Sequence, residues 1–399
     1  MIKEIAIDEL HLGHYVVDIV QQQGNYQLKN AGHVKSGKII DNLISHGVSS
    51  LLIDTAKTLE PINETSKESS SPLDKRHFSS TTTSSEPLSL ELAQAKKIFA
   101  QAKLIQSHVL QNIVTDTVID LEPVKEVTDQ TVESVFQNPD ALACVLNIRI
   151  KGQYLLEHSV SVSVLVAIFA RHLAIEKRIA KDISLGAFLH DVGKIKIPDE
   201  ILNKPYKLTE DEFEIMKTHV EHSIDIIRQI PNISELALEV AAMHHEKLDG
   251  SGYPYQLAHG EISLYGRMIA ICDIFDALTA DRVYKQGYSH VKAFNILRKL
   301  ASQGVLDARL VDEFIRCMGV YPVGSLVELS SHRLAIVEGR TKDPIRPKVR
   351  SFYNIDYRHY TMAEDIDLSS AKENIVKSVR ADDYNLEMNK IVEFLMLQG

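Results

Sequence analysis

The chain has 399 residues, enough for two or three domains rather than one. Lys and Arg number 44 against 54 Asp and Glu, a formal charge of −10, which argues against a protein that coats bulk nucleic acid by charge alone. Cys144, Cys272 and Cys317 lie far apart without a CxxC pair, so neither a disulfide framework nor a thiolate zinc site is expected.

The opening MIKEIAIDEL carries charges too early for a signal peptide. The longest apolar run, Val160 to Ala170, is broken by serines and too short to span a bilayer. A cytoplasmic protein without a membrane partner is expected. Residues 1–60 read as a small α/β module. Tyr15 to Val20 and Ser49 to Asp54 predict strands, Gly24 and Asn25 a hairpin turn, and Ile39, Ile40, Leu43 and Ile44 a short helix. Residues 61–88 are nearly all Ser, Thr and charge, the composition of a disordered linker.

Over 89–148 the pattern becomes helical. Leu92, Ala95, Ile98, Ala102, Ile105, Val109 and Ile113 share one face, and a second helix is expected over about Asp129 to Gln137. These connecting helices pack on the next domain or form a homodimer seam. Residues 149–323 stay helical with short loops. In 324–399, SLVELSSHRLAIVEGR predicts a β-hairpin, Lys348 to Tyr353 a strand, and Asp382 to Leu397 a closing helix. The expected fold class is mainly α, with a small N-terminal α/β module and a short β-containing tail.

The chain holds 17 histidines, and eight of them fall within residues 158–259. His190 and Asp191 are adjacent, His219 follows, His244 and His245 are adjacent, and Asp273 comes later; His158 lies upstream on a predicted helix. Taken singly, each reads as an ordinary helix side chain. Two neighbouring imidazoles after the apolar Val240–Met243 are costly unless liganded or exposed. The ordered series on successive helices reads as a metal centre. Imidazole and carboxylate suit borderline divalent ions, and Asp191 has two oxygens with which to bridge a pair of them. Lys194, one turn from His190, is expected to point its ammonium to the same mouth.

The segments LHDVGKIKIPDEILNKPYKLTEDE, MKTHVEHS, HHEKLDGSGYP and ICDIFDALTADRVYK resemble the HD-GYP family of HD phosphohydrolases, over about residues 150–323. The resemblance implies an all-helical metallophosphodiesterase of bacterial second-messenger signalling. Its implied reaction is attack of a metal-bridging hydroxide on cyclic di-GMP, or on cyclic GMP-AMP, giving a linear 5′-phosphorylated dinucleotide. It implies two divalent ions, iron or manganese. One is held by His158, His190, Asp191 and Asp273, the other by Asp191, His219, His244 and His245. Asp191 and Lys194 are then catalytic, and Lys194, Arg282 and Lys285 hold the substrate. Gly252, Tyr253 and Pro254 form the signature loop, which shapes the site and contacts ligand or partner.

Family members with three metals carry a Glu where this chain has Tyr154, so two metals are expected. Glu157 is expected on another helix face. His222 and His259 read as surface side chains, and Glu246 as a solvated helix end or an acceptor for a ligand imidazole. Rival readings are an HD phosphohydrolase acting on another nucleotide, and a weak enzyme that senses the dinucleotide or docks a diguanylate cyclase.

Overall fold

The computed structural model describes residues 2–11, 14–22, 32–34, 37–45, 47–55, 88–148, 154–280 and 287–397. The chain divides into two units, 1–82 and 83–399. In the first, β1 (Ile2–Ala6), β2 (Tyr15–Gln22), β3 (Gly32–His33) and β4 (Val48–Asp54) form an antiparallel sheet in the order β1-β4-β2-β3. Helix α1 (Gly37–Ser45) precedes β4. Ile5, Val16, Leu51 and Ile53 alternate inward and meet Leu43 of α1 in a small core. The strand β1 escapes the sequence pattern because it is only five residues long, with Lys3 and Glu4 at its centre. The turn expected at Gly24 and Asn25 and the stretch 61–87 lie outside the described residues.

The second unit is helical from α2 (Leu88–Val114) and α3 (Leu121–Gln137) through α4 (Pro139–Ile148), α5 (Tyr154–His172) and α6 (Lys177–Leu189). Then come α7 (Asp199–Leu202), α8 (Glu210–Lys217), α9 (His219–Arg228), α10 (Glu235–Met243), α11 (Leu264–Thr279), α12 (His290–Ser302) and α13 (Ala308–Met318). Helix α3 starts eight residues before its expected position because the Asp120 carboxylate caps it, accepting from the Glu122 amide at 3.1 Å. Helix α5 is the central beam, with every residue from Val160 to Ala170 buried. Its serines stay satisfied inside: Ser161 donates to the Glu157 carbonyl at 2.6 Å and Ser163 to the Ser184 carbonyl at 2.8 Å. The serine-broken apolar run is therefore a core helix, and no described helix is long and apolar enough to cross a membrane.

The chain closes with five antiparallel strands in the order β8-β7-β6-β5-β9 and a helix. These are β5 (Leu326–Leu329), β6 (Arg333–Gly339), β7 (Lys348–Asn354), β8 (His359–Asp367), β9 (Ile375–Val379) and α14 (Met388–Leu397). Val327, Leu329, Ala335, Val337 and Val349 share one core with the helices. The expected hairpin is β5–β6. The strands β8 and β9 were not anticipated, because exposed apolar residues such as Met362 and Val376 sit among their outward charged and polar positions and blur the alternation. The closing helix starts at Met388, not Asp382, since Asn385 turns left-handed at φ 57° and ends a 3-10 turn over Ala381–Tyr384.

Candidate metal centre

Three helix ends and two helix interiors bring the histidines and aspartates together. His158 lies in the first half of α5, and Asp273 in α11. His190 ends α6, Asp191 follows it out of the helix, His219 opens α9, and His244 ends α10. One glycine sets the docking of α9. A Cβ on Gly193 would stand 2.1 Å from the His219 carbonyl oxygen and 2.4 Å from the Ser223 amide. Its absence lets α9 close onto the turn after Asp191, where Ser223 Oγ accepts from the Gly193 amide at 2.8 Å. The same approach leaves His219 Nε2 3.3 Å from Asp191 Oδ1.

The rings are locked from behind. Nδ1 of His190, His219 and His244 each donates to the carbonyl three residues earlier, of Ala187 at 2.7 Å, Met216 at 2.6 Å and Ala241 at 2.6 Å. A carbonyl can only accept, so Nδ1 carries the proton and Nε2 the lone pair. His158 Nδ1 is likewise held by Asp276 Oδ2 at 2.8 Å. The four Nε2 atoms converge on Asp191. They lie 3.3 Å (His190) and 3.5 Å (His158) from Oδ2, and 3.3 Å (His219) and 3.8 Å (His244) from Oδ1. Asp273 completes the floor, with Oδ1 2.9 Å from His158 Nε2 and Oδ2 3.7 Å from His245 Nδ1.

Burial of so much polarity sets the charge states. Burial would pull the His158 pKa down, but the hydrogen bonds to Asp273 and Asp276 outweigh it and hold it up at about 9. Burial and the neighbouring imidazole of His245 keep His244 neutral, and burial above all brings His245 down to about 3. Burial resists ionisation of Asp191 and Asp273, yet His190 and Lys194 hold Asp191, and His158 holds Asp273, well below the usual carboxylate range. The result is a cage in which ionised Asp191 and Asp273 face the neutral imidazoles of His244 and His245, with His158 held protonated between Asp273 and Asp276 and its Nε2 proton the one a metal ion would replace.

Two of these atoms have no hydrogen bond. His190 Nε2 and Asp191 Oδ1 are buried and unpaired, with ring nitrogens near them but off alignment. An unpaired buried polar atom costs roughly 1–3 kcal/mol, and two facing one space mark where a ligand belongs. His158, His190 and Asp273 form one group of donor atoms within 4.8 Å of one another. His219, His244 and His245 form a second such group, and His190, Asp191 and His244 a third that overlaps the first. Five imidazoles, two carboxylates and no thiolate suit a borderline divalent ion.

The signature loop roofs one side of this cage. A Cβ on Gly252 would lie 2.5 Å from Glu246 Cα and 2.7 Å from the His245 carbonyl oxygen, so only glycine lets the loop fold back so tightly. Tyr253 then lays its ring 4.7 Å from that of His245, and Pro254 follows through a cis peptide. Glu246, expected at a solvated helix end or beside a ligand imidazole, does neither. It is buried, and its carboxylate accepts from the amides of Tyr255 at 2.7 Å and Leu257 at 3.0 Å, tying down the loop. A cavity of about 430 Å³ opens beside His244, His245, Asp273 and Tyr253, lined further by Phe213 and by Ala270, Ile274, Ala277 and Leu278 of α11.

Lys194 Nζ sits 2.6 Å from Asp191 Oδ2, still partly exposed. Glu157 is turned away from the cage and pairs with Lys103 of α2 at 2.8 Å. Arg282, Lys285 and the side chain of Tyr154 lie outside the described residues. His222 and His259 belong to none of the donor groups.

Residues 145–310 match the HD domain family, and residues 2–124 match a domain family of unknown function, DUF3391. A cyclic di-GMP phosphodiesterase of Pseudomonas aeruginosa is 30% identical over 375 residues, 93% of this chain and 90% of that protein. The chain belongs to the HD-GYP family. A 3′3′-cGAMP-specific phosphodiesterase of Vibrio cholerae is 37% identical over 178 residues, 45% of this chain and 41% of that protein. A cyclic di-GMP phosphodiesterase of Thermotoga maritima is 38% identical over 160 residues, 40% of this chain and 43% of that protein.

In this HD-GYP chain, all seven histidines and aspartates singled out in the sequence meet in one cage. The residue that sequence reasoning missed is Asp276, which orients His158. Its signal was present: it lies three residues after Asp273, and so on the same side of a helix.

Proposed function

We propose that this chain is a metal-dependent phosphodiesterase that cuts a cyclic dinucleotide, cyclic di-GMP foremost, to a linear dinucleotide with a 5′ phosphate. The observation that carries the reading is the set of imidazoles locked at Nδ1 with Nε2 turned on Asp191. The names of a relative matched over nearly its full length and of others matched over the HD region supply the substrate class. One ion is assigned to His158, His190, Asp191 and Asp273, and a second to Asp191, His219, His244 and His245, with iron or manganese as the metal. Bound there, divalent ions supply Lewis acidity toward a phosphodiester and lower the pKa of water.

The protein's own residues do the positioning. The carbonyls of Ala187, Met216 and Ala241 and the Asp276 carboxylate keep each lone pair aimed, so little reorganisation is left for the reaction. Lys194 steadies Asp191 and places a cation where negative charge builds on the phosphate. Arg282 and Lys285 are assigned to the substrate by their place in the DRVYK motif. Residues 149–323 serve as the catalytic domain and 1–60 as its regulatory module, joined by the 61–88 linker and the connecting helices of 89–148, in a cytoplasmic homodimer that answers to a diguanylate cyclase or another signalling partner.

The test is a product assay on anaerobically prepared protein loaded with Fe(II) or Mn(II), given cyclic di-GMP and 3′3′-cGAMP separately. Chromatography is expected to find the linear 5′-phosphorylated dinucleotide. Binding of both compounds without cleavage would turn the reading to a sensor. Metal-loaded protein that neither binds nor cuts them would sink it.

A further inference from the structure

The cavity beside the cage has more apolar wall than a phosphodiester needs. Ala270, Ile274, Ala277 and Leu278 recur along α11 at helical spacing and line it together with Phe213 of α8. Phe213 belongs to none of the hydrophobic core clusters among the described residues and remains 45% exposed. A large apolar ring left in water at the mouth of a site is a cost the fold itself does not require.

Tyr253, the other aromatic lining residue, is already engaged. Its ring leans on His245 at 4.7 Å with only 36° between planes, while Phe213 meets it edge-on, at 6.3 Å and 86°. Lys217, one turn beyond Phe213 on α8, brings Nζ to 5.6 Å from the Phe213 centroid and 6.0 Å from that of Tyr253, while pairing with Glu214 at 2.7 Å. An aromatic face beside a cation, at the edge of a phosphodiester site, is the chemistry that holds a nucleobase and its phosphate. Stacking takes the planar base, and the cation favours the anion attached to it.

We propose that Phe213 is the platform on which one nucleobase of the cyclic dinucleotide stacks, with Lys217 as the cation beside it. The inference rests on the phosphodiesterase reading and deepens it. The cage then sets where the phosphate is cut, and α8 sets which phosphodiesters are accepted. Because a π-face is common to all bases, Phe213 selects dinucleotides over base-free phosphodiesters rather than guanine over adenine.

The chain contains no tryptophan, so Phe213→Trp installs a single reporter at the platform. In the Mn(II)-loaded Phe213→Trp protein, stopped-flow mixing with cyclic di-GMP is expected to quench the emission before any product forms. The abasic analogue of cyclic di-GMP, the same cyclic phosphodiester without its guanines, is expected to leave the emission unquenched. In Phe213→Ala, the ratio of kcat/KM for cyclic di-GMP to that for the abasic analogue is expected to fall about tenfold, through KM, and Phe213→Tyr is expected to restore it. Equal effects of Phe213→Ala on both substrates, or equal quenching by both, overturn the platform and leave the enzyme reading standing. Wild-type protein that cuts the abasic analogue but neither cuts nor binds a cyclic dinucleotide overturns both.

Discussion

The cage and the C-terminal sheet both gather charged side chains, and they use them in opposite ways. On the sheet, Arg333 of β6 reaches Glu364 of β8 and also Glu373, the latter at 2.9 Å. Arg350 of β7 pairs with Asp365 of β8 and with Glu338 of β6 at 3.1 Å. Arg333 reaches past β7 to β8 and to Glu373 just before β9, while Arg350 meets a carboxylate on each neighbouring strand, all at a partly exposed surface. In the cage every histidine and aspartate but the partly exposed His245 is sealed from water, and His190 Nε2 and Asp191 Oδ1 are left without a hydrogen bond. Density of charge therefore does not mark a site. Buried donor atoms held in place from behind and left unpaired in front do so, because their desolvation is recovered only when something binds.

The sharpest way to break this contrast is to remove the centre of the cage. Asp191→Ala is expected to lower turnover of cyclic di-GMP by at least about a thousandfold and to empty the protein of metal, measured together by product assay and elemental analysis. Retained metal and turnover would mean that the convergence on Asp191 has no chemical meaning. A milder change tests the locking from behind. Asp276→Asn keeps the shape but removes the charge at His158 Nδ1, and is expected to weaken metal affinity by about 10- to 100-fold with the fold intact. Titration with Mn(II) followed by circular dichroism checks both parts.

The smallest effect belongs to the sheet. Burial raises the Glu338 carboxyl to about 7, Arg350 opposing and Asp365 adding to it. A carboxyl raised above its unfolded value holds its proton more tightly in the native state. Stability from this group is then fullest below the unfolded carboxyl range and is lost as pH climbs through 7. The loss is on the order of 1 kcal/mol after allowance for partial exposure and the Arg350 pair. Glu338→Gln is expected to flatten the fall in melting temperature between pH 5 and 8 while leaving cyclic di-GMP turnover within twofold. An unchanged pH slope would show that the sheet's charges are wholly offset at the surface.

The helical stretches were legible where one face carries the burden. The stripe from Leu92 to Ile113 is the inward side of α2, with Ile105 alone only partly buried. Strands β8 and β9 were not legible, since edge strands with solvated outer faces leave a weak alternation. Glu246 illustrates a different limit. Its position after His245 suggested a role at the metal, but its hydrogen bonds go to amides nine and eleven residues away, a relation created by the return of the loop.

From the chain alone, the types and order of the chemical groups were determined: five histidines and two aspartates on successive helices, a glycine after the His-Asp pair, and a signature loop. Those follow from residue identity and local periodicity, which act over a few residues. Only the tertiary structure decided which nitrogen of each ring faces inward, that Asp276 supports His158, and that Phe213 stands beside the cage. Such relations depend on how helices more than a hundred residues apart in the chain come to pack, and close packing of that kind is settled by contacts that no local pattern encodes.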